Sequence, residues 1–329
     1  MKTVLAIALA VLAVCVTPAV ADPIVIKFSH VTAPGTPKGK AADKFAELAA
    51  AYTGGKVKVE VYPNSQLYKD KEEVEALQLG AVQMLAPALS KFASLGVKEF
   101  EVFDVPFLFA DKAALNRVTN GAIGKRLFTK LESKGFSGLA YWDNGFKIMS
   151  ANVPLRTPED FLGLKMRIQS SAVIEAQMKA LGAVPQKMAF SEVYQALQSG
   201  VVDGTENPPS NMYTQKMHEV QKHATLSNHG YLGYAVIVNK KFWDGLPSDV
   251  RAGLDKAMAE ATSYGNDIAQ AENDTALAAM KTSGKTEFHD LSADERAKWL
   301  AALKPVLDVA AERVGKTLLD EVIKAASGN

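Results

Sequence analysis

Only one cysteine, Cys15, occurs in 329 residues. That excludes an internal disulfide framework, which needs pairs of thiols. It also sits in an N-terminal stretch, MKTVLAIALAVLAVCVTPAVA, that reads as a leader. One cation, Lys2, precedes an apolar run from Val4 to Val16, too short to span a bilayer, and Ala19-Val20-Ala21 gives a small-residue cleavage site. Cleavage is expected after Ala21, with residues 1–21 as signal peptide. A lipoprotein would need a small residue before Cys15, and Val14 fits poorly. The exported chain would then have no thiol at all and would depend on its apolar core.

An excess of either charge is also missing: Lys and Arg number 37 against 36 Asp and Glu, and loss of Lys2 makes the count even. Nothing there suggests a nucleic acid or an anionic membrane as partner. No second long apolar run appears, and no repeat or low-complexity tract. Removing 21 of 329 residues leaves 308, more than one core comfortably serves, so two domains are expected.

Strands and helices alternate. IVIKFSH (24–30) reads as a strand, followed by a loop with Pro34, Gly35 and Pro37. A helix is expected over 41–52, a strand at KVKVEVYP, a helix over 71–79 stopped by Gly80, and a buried strand over 81–88. That order predicts an α/β fold, its sheet mostly parallel with helices on both faces. Strands follow at 137–142 and through GFKIMSA, and Thr157-Pro158 opens a helix. In LGLKMRIQSS (162–171), Leu164, Met166 and Ile168 alternate with Lys165 and Arg167, the pattern of a half-buried strand. Helices over 171–181 and 191–199, a strand and loop at VVDGTENPP and a returning strand at 234–239 complete this part. After Pro247 a helix runs from Ser248 toward Gly284, about 50 Å at 1.5 Å per residue, which either kinks at Gly253 or Gly265 or braces two domains. Ser292 to Glu295 is a capping box for a last helix.

Enzyme signatures fail when tested. GKT occurs at 284–286 and 315–317, but Ala279 and Ala310 stand where a phosphate loop needs glycine. No G-x-S-x-G or G-x-G-x-x-G is present. HEVQKH (218–223) would set its histidines about 140° apart round a helix, which cannot share a metal; they read as solvated helix residues, and His229 does not rescue the site. Carboxylate pairs Glu72-Glu73 and Glu159-Asp160 fall at helix starts, where the dipole already favours anions. No metal or cofactor is implied.

What remains are polar residues at strand ends, where open α/β sheets bind ligands. His30 ends the first strand, Lys91 follows the 81–88 strand, Lys147 lies in NGFKIMS, Arg167 closes its strand and Asn207 follows VVDG. Singly each reads as a solvated group; together they would form a cationic cleft suited to carboxylates. For Arg167 a structural ion pair with a helix carboxylate is the competing reading.

GLKMRIQ, MAFSEVYQALQSGVVDGTENP and QKMHEVQK, in this order, resemble the solute-binding proteins of tripartite ATP-independent periplasmic (TRAP) transporters. The resemblance covers essentially the whole chain after the leader. YWDNGFKIMSAN and NHGYLGYAVIVNKKFWDGLP look most like the DctP branch, which binds C4-dicarboxylates. It implies a two-domain periplasmic binding protein fold with a long helix crossing both domains and a ligand trapped between them. It further implies that Arg167 grips the ligand carboxylate through two hydrogen bonds, that Asn207 supports it, and that Phe190 is a wall residue. Lys147 stands where sialate-binding relatives carry a second arginine, and Lys91-Phe92 where they carry a third cation, departures that weigh against sialate. The second carboxylate of a diacid would fall to Lys91 or Lys147, with His30 as donor.

On this reading, domain I comprises 22–145 with 233–271, and domain II 146–232 with 272–329. The chain is expected to be a monomeric periplasmic receptor for succinate, fumarate or malate, without cofactor or catalysis, that hands its ligand to the small and large TRAP membrane subunits. Another organic acid (2-oxo or aromatic) and a secreted α/β hydrolase are the alternatives.

Overall fold

The computed structural model describes residues 22–70 and 72–328. The expected leader, with its cut after Ala21, lies outside the described residues, as does Lys71.

Strands β1 (Ile24–Ser29), β2 (Val57–Tyr62) and β3 (Met84–Leu85) alternate with helices α1 (Pro37–Tyr52) and α2 (Glu73–Gln78). Helices α3 (Lys112–Thr119) and α4 (Ala122–Glu132) precede β4 (Phe136–Phe146) and β5 (Ile148–Ala151). Then come β6 (Lys165–Ile168), α5 (Ala172–Ala180), β7 (Val184–Lys187), α6 (Val193–Gln198), β8 (Gly204–Asn207) and α7 (Pro209–Thr214). Strands β9 (His223–Leu226) and β10 (Tyr231–Asn239) lead into α8 (Lys240–Asp244) and α9 (Ser248–Ser283). The chain ends with β11 (Glu287–Asp290), α10 (Ala293–Leu303), α11 (Val306–Val314) and α12 (Lys316–Ser327).

These strands form two sheets, ordered β2-β1-β3-β10-β4 and β11-β9-β5-β8-β6-β7. Neither is wholly parallel. In the first, β1 runs parallel to β2 and β3, but β10 is antiparallel to both its neighbours. In the second, β6 runs parallel to β7 and β8, while β5 is antiparallel to β8 and β9. The cause is the crossing of the chain. Strand β4 in the first sheet passes through Lys147 alone into β5 of the second, and β9 returns through residues 227–230 to β10 of the first.

The long helix is continuous over 36 residues, and Gly253 and Gly265 do not interrupt it. Its early residues Val250, Leu254, Ala257 and Ala261 join the apolar cluster around Phe28, Phe45 and Trp142 of the first sheet. Its late residue Met280 joins the cluster of Ile148, Val193, Met217 and Ala224 of the second. The helix therefore braces both lobes, and Asn273 ties it between them, donating to the Asn144 carbonyl at 2.5 Å and accepting from the Ser210 N–H at 2.9 Å.

Four local readings of the sequence are corrected. Helix α1 begins at Pro37, not 41, because Thr36 caps it by accepting from the Gly39 N–H. The 81–88 strand shrinks to Met84–Leu85, since Pro87 has no N–H to continue a ladder. The capping box Ser292/Glu295 is present but opens the first of three helices, because Pro305 and Gly315 (φ +89°) divide the C-terminal segment. His218 lies in a buried 3-10 turn and His223 begins β9, so the two do not share a helix.

Candidate functional site

Strand β6 answers the alternation in the sequence with one surprise. Met166 and Ile168 are buried, and so is Arg167, at 2% exposure. The strand's second face meets the interior of a cleft rather than bulk water. The Arg167 guanidinium donates from Nε and Nη2 to the Met188 carbonyl at 3.1 and 2.8 Å. Its central carbon lies 5.8 Å from the Phe190 ring centroid. Among the described residues no carboxylate forms an ion pair with it; burial lowers its pKa, opposed by the more distant charges of Asp70 and Glu206. The competing reading, a structural pair with a helix acid, therefore has no partner among the described residues.

Asn207 ends β8 and is buried, its Nδ2 3.3 Å from Thr205 Oγ1. Phe190 opens a 3-10 turn (Phe190–Glu192) after β7 and is also buried. Both line a narrow cavity of about 20 Å³ with Val31, Thr32, Lys91 and Tyr234. That cavity draws on elements of both sheets. A wider cleft of about 510 Å³ is lined by Asp70, Lys91, Arg167, Gln169 and Met188. The structure thus brings Arg167, Asn207, Phe190 and Lys91 together.

The two lysines expected as cations of the cleft are buried and already paired with acids. Lys91 sits in the 3-10 segment Leu89–Leu95, buried, and pairs with Asp70 and, at 2.9 Å, with Glu73. Burial opposes its charge, but the two acids hold its pKa above the usual lysine value. Glu73, fully enclosed, is pushed up by desolvation. Lys147 lies between β4 and β5, and its Nζ donates to Glu206 Oε1 at 2.7 Å. Glu206 Oε2 accepts from His229 Nε2 at 2.8 Å, and His229 Nδ1 lies 2.7 Å from the Ser227 hydroxyl. Burial alone would raise Glu206, but Lys147 and His229 bring its carboxyl down to about 2. As an ionised acid can only accept, His229 carries its proton on Nε2. This triad lies where the chain crosses between the sheets, and Lys147 lines neither cavity. His30 directly follows β1 and is buried, with Nδ1 3.3 Å from Thr32 Oγ1 and Nε2 without a partner among the described residues. Burial, aided by the charge of Lys38, lowers its pKa to about 3, so it is neutral.

Sequence reasoning missed Asp70, Glu73, Glu206, His229 and Lys38. Glu73 looked like a helix-start acid and Lys38 like part of a loop. Glu206 stood inside the DGTENP motif, next to the residue that was singled out.

The site is a buried guanidinium and carboxamide on strand ends between two α/β lobes, which defines the class of hinged binding proteins for small anions. Residues 28–313 match the model for bacterial extracellular solute-binding proteins, family 7 (DctP). The chain is 72% identical to the C4-dicarboxylate-binding periplasmic protein DctP of Rhodobacter capsulatus, over 94% of this chain and 93% of that one. A TRAP periplasmic solute-binding protein from Shewanella oneidensis, solved with bound succinate, superposes with a TM-score of 0.90 at 43% identity, covering 93% of this chain and 100% of that one. A counterpart from Pseudomonas aeruginosa with bound L-malate gives 0.85 at 44%, covering 87% and 100%. This chain belongs to the DctP family of TRAP solute-binding proteins, as its motifs had led us to expect. Among the described residues no helix is long and apolar enough to cross a membrane.

Proposed function

We propose that this protein is the periplasmic receptor of a TRAP transporter and binds a C4-dicarboxylate such as succinate, fumarate or malate between its two lobes. One observation carries the site assignment: Arg167, buried and without a carboxylate partner among the described residues, lines the wider cleft beside Phe190, which with Asn207 lines the adjoining narrow cavity. Guanidinium offers paired, coplanar N–H donors that match two carboxylate oxygens, and it never loses its charge. The relatives that bind succinate and malate support the choice of diacid.

The lobes are read as 22–145 with 233–271, and 146–232 with 272–329, moving about the β4–β5 and β9–β10 crossings. Ligand that touches both lobes shifts the population toward closure. Arg167, Asn207 and Phe190 form the ligand wall. Lys91 acts through Asp70 at the cleft, His30 is a neutral donor beside Thr32, and Lys147 positions the crossing through Glu206 and His229. The receptor works as a monomer without catalysis or cofactor, and the closed form docks on the small and large TRAP membrane subunits.

Calorimetry with a panel of organic acids tests this. Stoichiometric binding of a C4-dicarboxylate, at micromolar dissociation constant or tighter and without turnover, is the expected result. Tighter binding of a 2-oxo or aromatic acid would reassign the ligand, and product formation would overturn the receptor reading.

A further inference from the structure

A diacid needs a second countercharge, and neither lysine singled out from the sequence is available for it. Lys91 already faces two carboxylates, Asp70 and Glu73, and Lys147 is held by Glu206. A third lysine is different. Lys38 lies in the first turn of α1 and is 1% exposed. Its Nζ donates to the Ala86 carbonyl at 3.1 Å and sits 3.8 Å from the centroid of the Tyr234 ring. No carboxylate among the described residues forms an ion pair with it. Tyr234 and Thr32 line the narrow cavity, and Thr32 is bonded to Thr36, the cap of the helix that carries Lys38.

Two local rules are broken here. A lysine in the first turn of a helix stands at the positive end of its dipole. A buried ammonium without a counterion is costly, and such costs persist mainly where function needs them. An ammonium has three donors, of which the carbonyl takes one.

Resting on the receptor reading above, we infer that Lys38 is the countercharge for the ligand's second carboxylate, with Arg167 holding the first, and so makes the site select diacids over monoacids. Burial, then the charge of Lys91, lowers the Lys38 pKa to about 7, with Glu73 and Asp70 partly opposing. His30 faces it as a neutral ring and Tyr234 as a phenol held protonated by burial. A dianion arriving beside Lys38 raises that pKa again.

The test compares succinate with butyrate, which replaces one carboxylate by a methyl group, on the parent and on Lys38→Met. The parent should prefer succinate strongly. The variant should lose about 100-fold on succinate and little on butyrate. Equal succinate affinity in parent and variant, or a parallel loss on both ligands, would overturn the inference. A second measurement needs no variant: succinate binding to the parent at pH 8, in buffers of different ionisation enthalpy, should take up close to one proton, and none at pH 6. Absence of uptake at pH 8 counts against Lys38. A parent that binds no C4-dicarboxylate removes both readings, whereas a parent that binds succinate beside an unaffected Lys38→Met variant removes this one alone.

Discussion

Asp70 Oδ2 accepts a hydrogen bond from the backbone N–H of Phe190 at 2.5 Å, joining segments 120 positions apart, while Oδ1 takes the ammonium of Lys91. One partner follows β7 of the second sheet and the other follows β3 of the first. A single side chain from the segment after β2 therefore ties the two lobes together at the mouth of the cleft. Lys91, in turn, holds the Asp70 carboxyl below its usual range against the pull of burial.

That tie should govern opening. Asp70→Ala leaves the Phe190 N–H without its acceptor and Lys91 with one acid instead of two. Losing a buried partner of this kind costs about 1–3 kcal/mol. The expected outcome is a larger radius of gyration by small-angle scattering and faster ligand dissociation. If both stay at parental values, Asp70 does not hold the lobes.

Arg167 should separate binding from folding. Among the described residues its hydrogen bonds go to one carbonyl, that of Met188, so Arg167→Ala leaves little else unpaired there. A stability loss of about 1–3 kcal/mol, or several degrees in melting temperature, is expected. Succinate binding should fall below detection, since a buried ligand anion without its partner costs about 3–5 kcal/mol. Arg167→Lys keeps the charge but not the fork and should fall between. Succinate affinity retained by the alanine variant would refute the assignment.

The sequence was most legible where a residue's role is local. The strand at β6, the capping box at Ser292 and a helix running from Ser248 toward Gly284 are all present, because periodicity and capping act within a few residues; the burial of Arg167, the division of the C-terminal segment and the absence of a kink were not legible. It was least legible where a charge is defined by a distant partner. Lys91 and Lys147 read as cations free for a ligand because their partners Asp70, Glu73 and Glu206 come from other segments, 21, 18 and 59 positions away. The mixed strand directions were hidden for a related reason: alternation marks a strand but not which sheet it joins, and two crossings decide that here. Lys38 escaped because Pro34, Gly35 and Pro37 suggested a loop that the Thr36 cap converts into a helix.

The acid limb of stability should carry a His30 signature. Its folded pKa of about 3 lies below the ordinary 6.5, so the unfolded chain binds the extra proton first. The stability of the neutral folded form is fully present above pH 6.5 and is lost as pH falls toward 3. The loss is about 1.4 kcal/mol per pH unit. Asp104 acts oppositely: burial pushes it up to about 7, so its folded form gains on acidification below that pH. The parental curve therefore mixes the two, and the informative quantity is the difference from His30→Gln. Between pH 6.5 and 5, denaturant midpoints of the parent should fall relative to the variant. Parallel curves would mean that the ring titrates normally.

Gly265 should resist the substitution that helix propensity recommends. In the interior of an exposed helix, alanine is better than glycine by about 1 kcal/mol. Gly265, however, is buried where α9 lies against α1, and a Cβ built on it would stand 2.7 Å from Ala41 Cβ. Neither atom is the end of a flexible chain, so relief requires the two helices to move apart. Ala41, Ala42 and Ala261 are small residues packed along the same seam, and separation would also loosen the cluster around Phe45 and Leu254. Overpacking of this kind costs about 1–3 kcal/mol, which outweighs the gain in propensity. Gly265→Ala should therefore lower the denaturant midpoint, and pairing it with Ala41→Gly should restore part of the loss. A more stable single variant would show that the helix absorbs the methyl group by shifting, and that the brace across the lobes is softer than its packing implies.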